Sequence, residues 1–205
     1  MRKMKFSLIA VMLIMVAAAS AQVNLGVKGG VNMSNFYGDE LSDKNTKIGF
    51  HIGLSADYDF MYNSAIQTGL FFTTKGFKSE SADWDAKYTE NLMYLQLPIH
   101  YAYKLDVSPG TRVVFHAGPY AAYGLGGSRK ASVGNISGEW DVDKIFGDGI
   151  TQYKPFDAGL GLGVGAEFGP MVLDLGWDMG LVNISNTSNG NIKNQNAYLS
   201  VGYKF

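Results

Sequence analysis

Apolar and polar residues alternate along most of the chain, in eight separate runs. Successive side chains of a strand point to opposite faces, so each run predicts a strand with one apolar and one polar face. In the first, Val23, Leu25, Val27, Val31 and Met33 alternate with Asn24, Gly26, Lys28, Gly30 and Asn32. The second sets Ile48, Phe50, Ile52, Leu54, Ala56, Tyr58 and Phe60 against Gly49, His51, Gly53, Ser55, Asp57 and Asp59. In the third, Ile66, Leu70 and Phe72 oppose Gln67, Gly69, Thr73 and Lys75, with Phe71 on the polar side. The fourth, residues 93–104, places Leu95, Leu97, Ile99, Tyr101 and Tyr103 opposite Gln96, Pro98, His100, Ala102 and Lys104. The fifth, residues 112–124, is the least regular: Val113, Phe115, Ala117, Pro119, Ala121 and Tyr123 against Val114, His116, Gly118, Tyr120 and Ala122. In the sixth, Asp157, Gly159, Gly161, Gly163, Gly165 and Glu167 interleave with Ala158, Leu160, Leu162, Val164, Ala166 and Phe168. The seventh alternates Met171, Leu173, Leu175, Trp177 and Met179 with Val172, Asp174, Gly176, Asp178 and Gly180. The last, residues 195–205, sets Ala197, Leu199, Val201, Tyr203 and Phe205 against Tyr198, Ser200, Gly202 and Lys204.

The connections alternate too. Long polar stretches at 34–47, 79–88, 126–154 and 182–194 follow the odd-numbered strands, and short turns at 61–64, 106–111 and Gly169-Pro170 follow the even ones. Long loops therefore gather at one end and tight turns at the other, with both termini at the tight-turn end, the arrangement of an eight-stranded antiparallel up-and-down barrel in an outer membrane.

Alternation alone does not say which face points out, since a soluble ligand-binding barrel would be apolar inside. Two features favour apolar outside. The polar face is rich in glycine and carries Lys28, Asp57, Lys75, His100, Lys104, Asp157, Glu167, Asp174 and Asp178, a set that suits a narrow lumen where charges must pair. The apolar face turns aromatic wherever an even-numbered strand reaches the tight-turn end: Tyr58 and Phe60, Tyr101 and Tyr103, Phe168, then Tyr203 and Phe205. Four strands repeating one placement predict an aromatic girdle at a membrane interface, with Phe50, Phe72, Tyr123 and Trp177 populating the opposite one. Closure would satisfy every backbone donor and acceptor in hydrocarbon.

Composition narrows the class. Residues 1–21 read as a cleaved export signal, with Arg2, Lys3 and Lys5 ahead of an apolar centre and Ala19-Ser20-Ala21 as the cleavage site, leaving a single barrel domain over 22–205. Removing those three of 17 basic residues leaves 14 against 18 acidic ones, a net charge of −4 and no footprint for nucleic acid. With no cysteine, an exported chain has neither disulfides nor thiol chemistry. Beyond the signal, no run of about 18 apolar residues offers a helical membrane span.

Several short motifs resemble the small outer-membrane β-barrel family labelled PorT-like, and more distantly the OmpA/OmpX-type barrels. They are Tyr94-Leu-Gln-Leu-Pro98, Ala117-Gly-Pro-Tyr120, Phe156-Asp-Ala-Gly-Leu-Gly-Leu-Gly-Val-Gly165, Gly180-Leu181 and Gly202-Tyr-Lys-Phe205, and they span the mature chain. The resemblance implies a Gram-negative outer-membrane location and, through the namesake, an association with protein secretion. It also implies that Tyr203 and Phe205 form the signal read by the outer-membrane insertion machinery.

No residue set predicts catalysis, a cofactor or a metal. His51, His100 and His116 share the inward face and, with Ser55, suggest a lipid-modifying enzyme, but converging geometry is needed. Asp141, Asp143 and Asp148 lack the spacing of a calcium loop, and the Gly159–Gly165 series has a strand period rather than that of a phosphate cradle. Loop aromatics Phe36, Tyr37, Trp84, Trp140 and Phe146 suit either surface contact or packing over the barrel mouth. The expected role is non-enzymatic, structural or surface-interacting, through loops 34–47 and 126–154. Alternatives are a narrow or secretion-associated pore and the lipid enzyme. Expected partners are outer-membrane lipids, the insertion machinery and a surface or secretion partner, with the barrel acting as a monomer.

Overall fold

The structure is a computed structural model that describes residues 23–38, 45–81, 86–133, 136–141, 145–149, 152–187 and 190–205. The expected signal segment 1–21, Gln22, Trp84 and Asp143 lie outside the described residues.

The strands are β1 (Val23–Gly38), β2 (Asn45–Met61), β3 (Ser64–Ser81), β4 (Ala86–Ser108), β5 (Thr111–Val133), β6 (Ile136–Asp141), β7 (Phe156–Phe168), β8 (Met171–Gly180) and β9 (Ile192–Lys204). Eight form a closed antiparallel ring, each pairing with its neighbour from β1 through β5, then β7, β8 and β9, and β9 pairing back onto β1 from Gly26↔Lys204 to Gly38↔Ile192. The Phe205 amide adds one more bond to the closing seam, donating to the Leu25 carbonyl at 2.8 Å. Two-residue turns at Tyr62-Asn63, Pro109-Gly110 and Gly169-Pro170 join the strands at one end. Gly110 and Gly169 take φ of 77° and 57° there, values a side chain resists.

The parity read from the sequence holds in every strand of the ring, the irregular fifth included: Phe115 and Tyr123 point out, His116 and Tyr120 in. The result inverts a soluble protein. Leu162 is 55 % exposed on the outer wall, while Lys75 is 1 % exposed inside.

The strands run further than hydrophobic alternation indicates. A membrane strand needs about 9–11 residues, which β8 just supplies with 10, but β4 and β5 have 23 each. Residues 126–133, expected as loop, continue β5, and 128–133 pair with β6, a short hairpin strand outside the ring. Beyond the bilayer a strand no longer needs an apolar outer face, so the signal that marks it in the sequence disappears.

Candidate functional site: the lumen and its mouth

Every charged residue expected in the lumen points inward, in three layers. At the tight-turn end, Lys104 contacts Asp57 at 3.4 Å, Asp59 at 2.6 Å and Glu167 at 3.8 Å. Lys204 bridges Asp57 and Glu167 at 2.6 Å each, and Arg112 reaches Glu167 at 2.7 Å. Lys204 and Arg112 are as much part of this network as the expected residues. They sit at strand ends, where the sequence pattern does not separate a lumen charge from a solvent-exposed one.

The middle layer carries the histidines. Lys28 pairs with Asp174 at 3.5 Å, His116 Nε2 lies 2.9 Å from Asp174 Oδ1, and His100 stacks on His116 with their Nδ1 atoms 3.0 Å apart. In that contact one Nδ1 must donate and the other accept. Gln96 donates to Asp178 at 2.9 Å. His51 contacts Asn32 and Ser200, whereas Ser55, the serine suspected from the sequence, lines the same cavity without serving as its partner. That cavity has a volume of about 70 Å³, room for roughly five water molecules.

Above it, Lys75 pairs with Asp157 at 3.1 Å and lies 4.4 Å from the Tyr120 ring centroid. Asp157 also accepts from Asn194 at 3.0 Å and from Tyr120 at 3.3 Å. Then the chemistry changes. Phe36, Phe77, Leu92, Tyr94, Ile145 and Ile184 form a buried apolar cluster across the loop end. Phe36 packs tilted at 5.1 Å from Phe77, and Phe146 packs 5.3 Å from Tyr94. Tyr37 donates its hydroxyl to the Gly180 carbonyl. Of the loop aromatics considered from the sequence, Phe36 and Phe146 thus pack over the mouth. Phe36 and Tyr37 belong to β1 rather than to a loop. The side chains of Trp140 and Asp141 lie outside the described set, and Asp148 is exposed.

Flanking the plug and clear of the bilayer, buried Glu90 accepts from Arg129 at 2.8 Å and from Tyr153 at 3.0 Å. Burial first and Glu90 second push the Tyr88 and Tyr153 hydroxyls above their ordinary range. Burial works against the Arg129 charge, but Glu90 outweighs it and raises the guanidinium further.

On the outer wall, Tyr58, Phe60, Tyr101, Tyr103, Phe168, Tyr203 and Phe205 all point outward at the tight-turn end. Phe60 sits 6.4 Å from both Tyr58 and Tyr101, and Tyr203 lies 6.0 Å from Phe205. Toward the loop end, Phe50, Tyr123 and Trp177 are exposed, and Phe72 packs 5.9 Å from Phe50. Phe156, paired with Tyr123 and equally exposed, joins them. Among the described residues, no three His, Cys, Asp or Glu side chains converge as a metal site.

The attachment invasion locus protein Ail of Yersinia pestis, solved with the heparin analogue sucrose octasulfate, is 16 % identical to this chain. It aligns over 90 % of this chain and 99 % of its own with a TM-score of 0.45. OprG of Pseudomonas aeruginosa is 12 % identical over 89 % of this chain and 95 % of its own, TM-score 0.44. Neisserial surface protein A is 14 % identical over 88 % and 97 %, TM-score 0.43. No curated protein sequence matches. The model of the outer membrane protein beta-barrel domain matches residues 17–186, all of the ring except its closing strand, which the structure supplies as β9. The chain belongs to the outer membrane protein beta-barrel domain family.

Proposed function

We propose that this outer-membrane barrel is a closed, monomeric structural element that makes contacts at the cell surface through its loop end. The observation that carries the reading is the filled lumen: an ionic network at one end and a buried apolar cluster at the other leave only a small cavity between them. Eight strands enclose an interior that side chains can fill. The long β4 and β5 and the β5–β6 hairpin carry the wall past the bilayer, where it can meet a partner. The role assigned to this end is contact, with no cofactor. The PorT-like motifs make a secretion partner one candidate.

Export by a cleaved signal at 1–21 and reading of Tyr203 and Phe205 by the insertion machinery complete the proposal. Both side chains are exposed on the outer wall, and deleting Phe205 is expected to lower outer-membrane yield sharply; an equal yield would count against it. The main test is twofold. Purified barrel in planar bilayers is expected to give a flat current trace. A photo-cross-linker at Lys87, exposed on the tall part of β4, is expected to give a discrete adduct in intact cells. Stepwise conductance with no adduct would replace this reading with the narrow pore.

A further inference from the structure

Three polar side chains on adjacent strands meet in the lumen in an order that carries chemistry. Strands β9, β1 and β2 lie side by side, and the register places both Ser200 and His51 opposite Gly30. A Cβ at Gly30 would fall 1.9 Å from the Leu199 carbonyl oxygen, so glycine is required there. With no side chain between them, His51 reaches across the middle strand and brings its Nε2 to 2.7 Å from Ser200 Oγ. Its Nδ1 lies 2.6 Å from Asn32 Oδ1, two positions along β1.

The direction of each bond follows from the Asn32 amide. Its Nδ2 faces the carbonyl oxygens of Phe50 at 3.1 Å and Thr74 at 3.2 Å, which can only accept. The amide oxygen therefore faces the ring, and since it too can only accept, His51 Nδ1 carries the hydrogen. Nε2 of the neutral imidazole is left with its lone pair aimed at the Ser200 hydroxyl. This is the relation of nucleophile, base and orienting group that activates a serine.

We propose that Ser200, His51 and Asn32 form a nucleophilic set in the lumen that hydrolyses small carboxylic esters. His51 Nε2 takes the Ser200 proton as Oγ bonds to the ester carbonyl carbon. The carbon–oxygen bond to the alcohol breaks, and the departing oxygen takes that proton from Nε2. Water then attacks the acyl-serine, gives one proton to Nε2 and releases the carboxylic acid as Oγ recovers a proton. The sum is ester plus water to acid plus alcohol, with no other reactant. Ser200 and His51 are the catalytic residues, and Asn32 is a positioning residue that fixes the tautomer. The three line the 70 Å³ cavity together with Lys28, which Asp174 holds at 3.5 Å. A cavity of that size limits the acyl part to a few heavy atoms. The inference does not rest on the surface-contact role of the loop end, and it requires that a small ester pass the ion-paired end or the apolar cluster that close the lumen to larger solutes.

The test uses the full mature barrel in detergent micelles with p-nitrophenyl acetate. The expected result is a burst of p-nitrophenolate with the acetyl group mapped by peptide mass spectrometry to Ser200. Ser200→Ala and His51→Gln, each checked for folding by heat-modifiable gel migration, are expected to lower the rate at least about 100-fold. Asn32→Leu should fall nearly as far, while Asn32→Asp, which keeps the acceptor, should restore the burst. An adduct at any other residue, no adduct at all, or a folded Ser200→Ala barrel as fast as the parent overturns the proposal. If Ser200→Ala fails to fold, the site of the adduct on the parent chain decides the matter.

Discussion

At the tight-turn end of the lumen, Asp57 and Glu167 hold Lys104, Lys204 and Arg112; at the loop end the interior is filled by Phe36, Phe77, Leu92 and Ile145. The two ends answer to different solvents. Within the bilayer the outer wall must be apolar, so polar groups are driven inward and must find partners there. Above it the same wall meets water, and the ordinary hydrophobic effect drives apolar groups inward instead. A single strand shows the switch. Along the lower part of β4, Leu95, Leu97, Ile99, Tyr101 and Tyr103 face out and Gln96, His100 and Lys104 face in. Along its upper part, Lys87, Thr89 and Asn91 take the outer face while Leu92 and Tyr94 are buried. The upper part of this barrel is a small water-soluble core standing on a membrane protein.

The largest expected effect separates the ends by charge. Asp57→Ala removes the carboxylate that Lys104 and Lys204 share and leaves Asp59 and Glu167 to hold both lysines and Arg112; breaking a buried ionic network from one side costs about 3–5 kcal/mol. Urea unfolding of the barrel in lipid vesicles would measure it, and a loss under about 1 kcal/mol would mean that this end is wetter than its burial implies. A lysine introduced on the outer face of β4 probes the boundary between solvents. Ile99→Lys, level with the bilayer, is expected to cost about 2–4 kcal/mol, and Thr89→Lys no more than about 0.5 kcal/mol. Equal costs would erase the distinction between upper and lower wall.

Trimming the plug comes next. Leu92→Ala opens a void in the apolar cluster and is expected to cost about 2–3 kcal/mol. It should also raise protease cleavage in the loop connections while leaving cleavage at the tight turns unchanged. The smallest effect concerns pH. Tyr88 and Tyr153 have their hydroxyl pKa raised by burial and by Glu90. A tyrosine that holds its proton more tightly when folded contributes stability that is complete below the unfolded value of about 10 and is lost as pH rises beyond it. Protection of the plug amides from hydrogen exchange, corrected for the intrinsic rate, is therefore expected to be flat between pH 6 and about 9 and to fall above about 10. A fall already near neutral pH would point to other groups.

How much of this was legible in the sequence follows the same boundary. Period-2 alternation marks a strand only where one face is apolar, so all eight ring strands and their parity could be read within the bilayer. The upper parts of β3, β4 and β5 could not. There Phe77 on β3 and Leu92 on β4 change the apolar face from outer to inner, and a pattern that inverts partway looks like a loop. The lumen charges were identifiable as a set, but their pairing depends on register, which residue types do not reveal. For the same reason Ser55 looked like the serine to watch. Only the alignment of β9 against β1, with Gly30 between, brings Ser200 to His51.

The most direct test of the central claim uses the absence of native cysteine. Single cysteines at Leu199, Val201, Asn196 and Ser200 alternate between the outer and inner faces of β9. The barrel, folded in lipid vesicles, would be exposed to a maleimide dissolved in the bilayer. Labelling at 199 and 201 with protection at 196 and 200 is the expected result; labelling at 196 and 200 with protection at 199 and 201 would contradict the account.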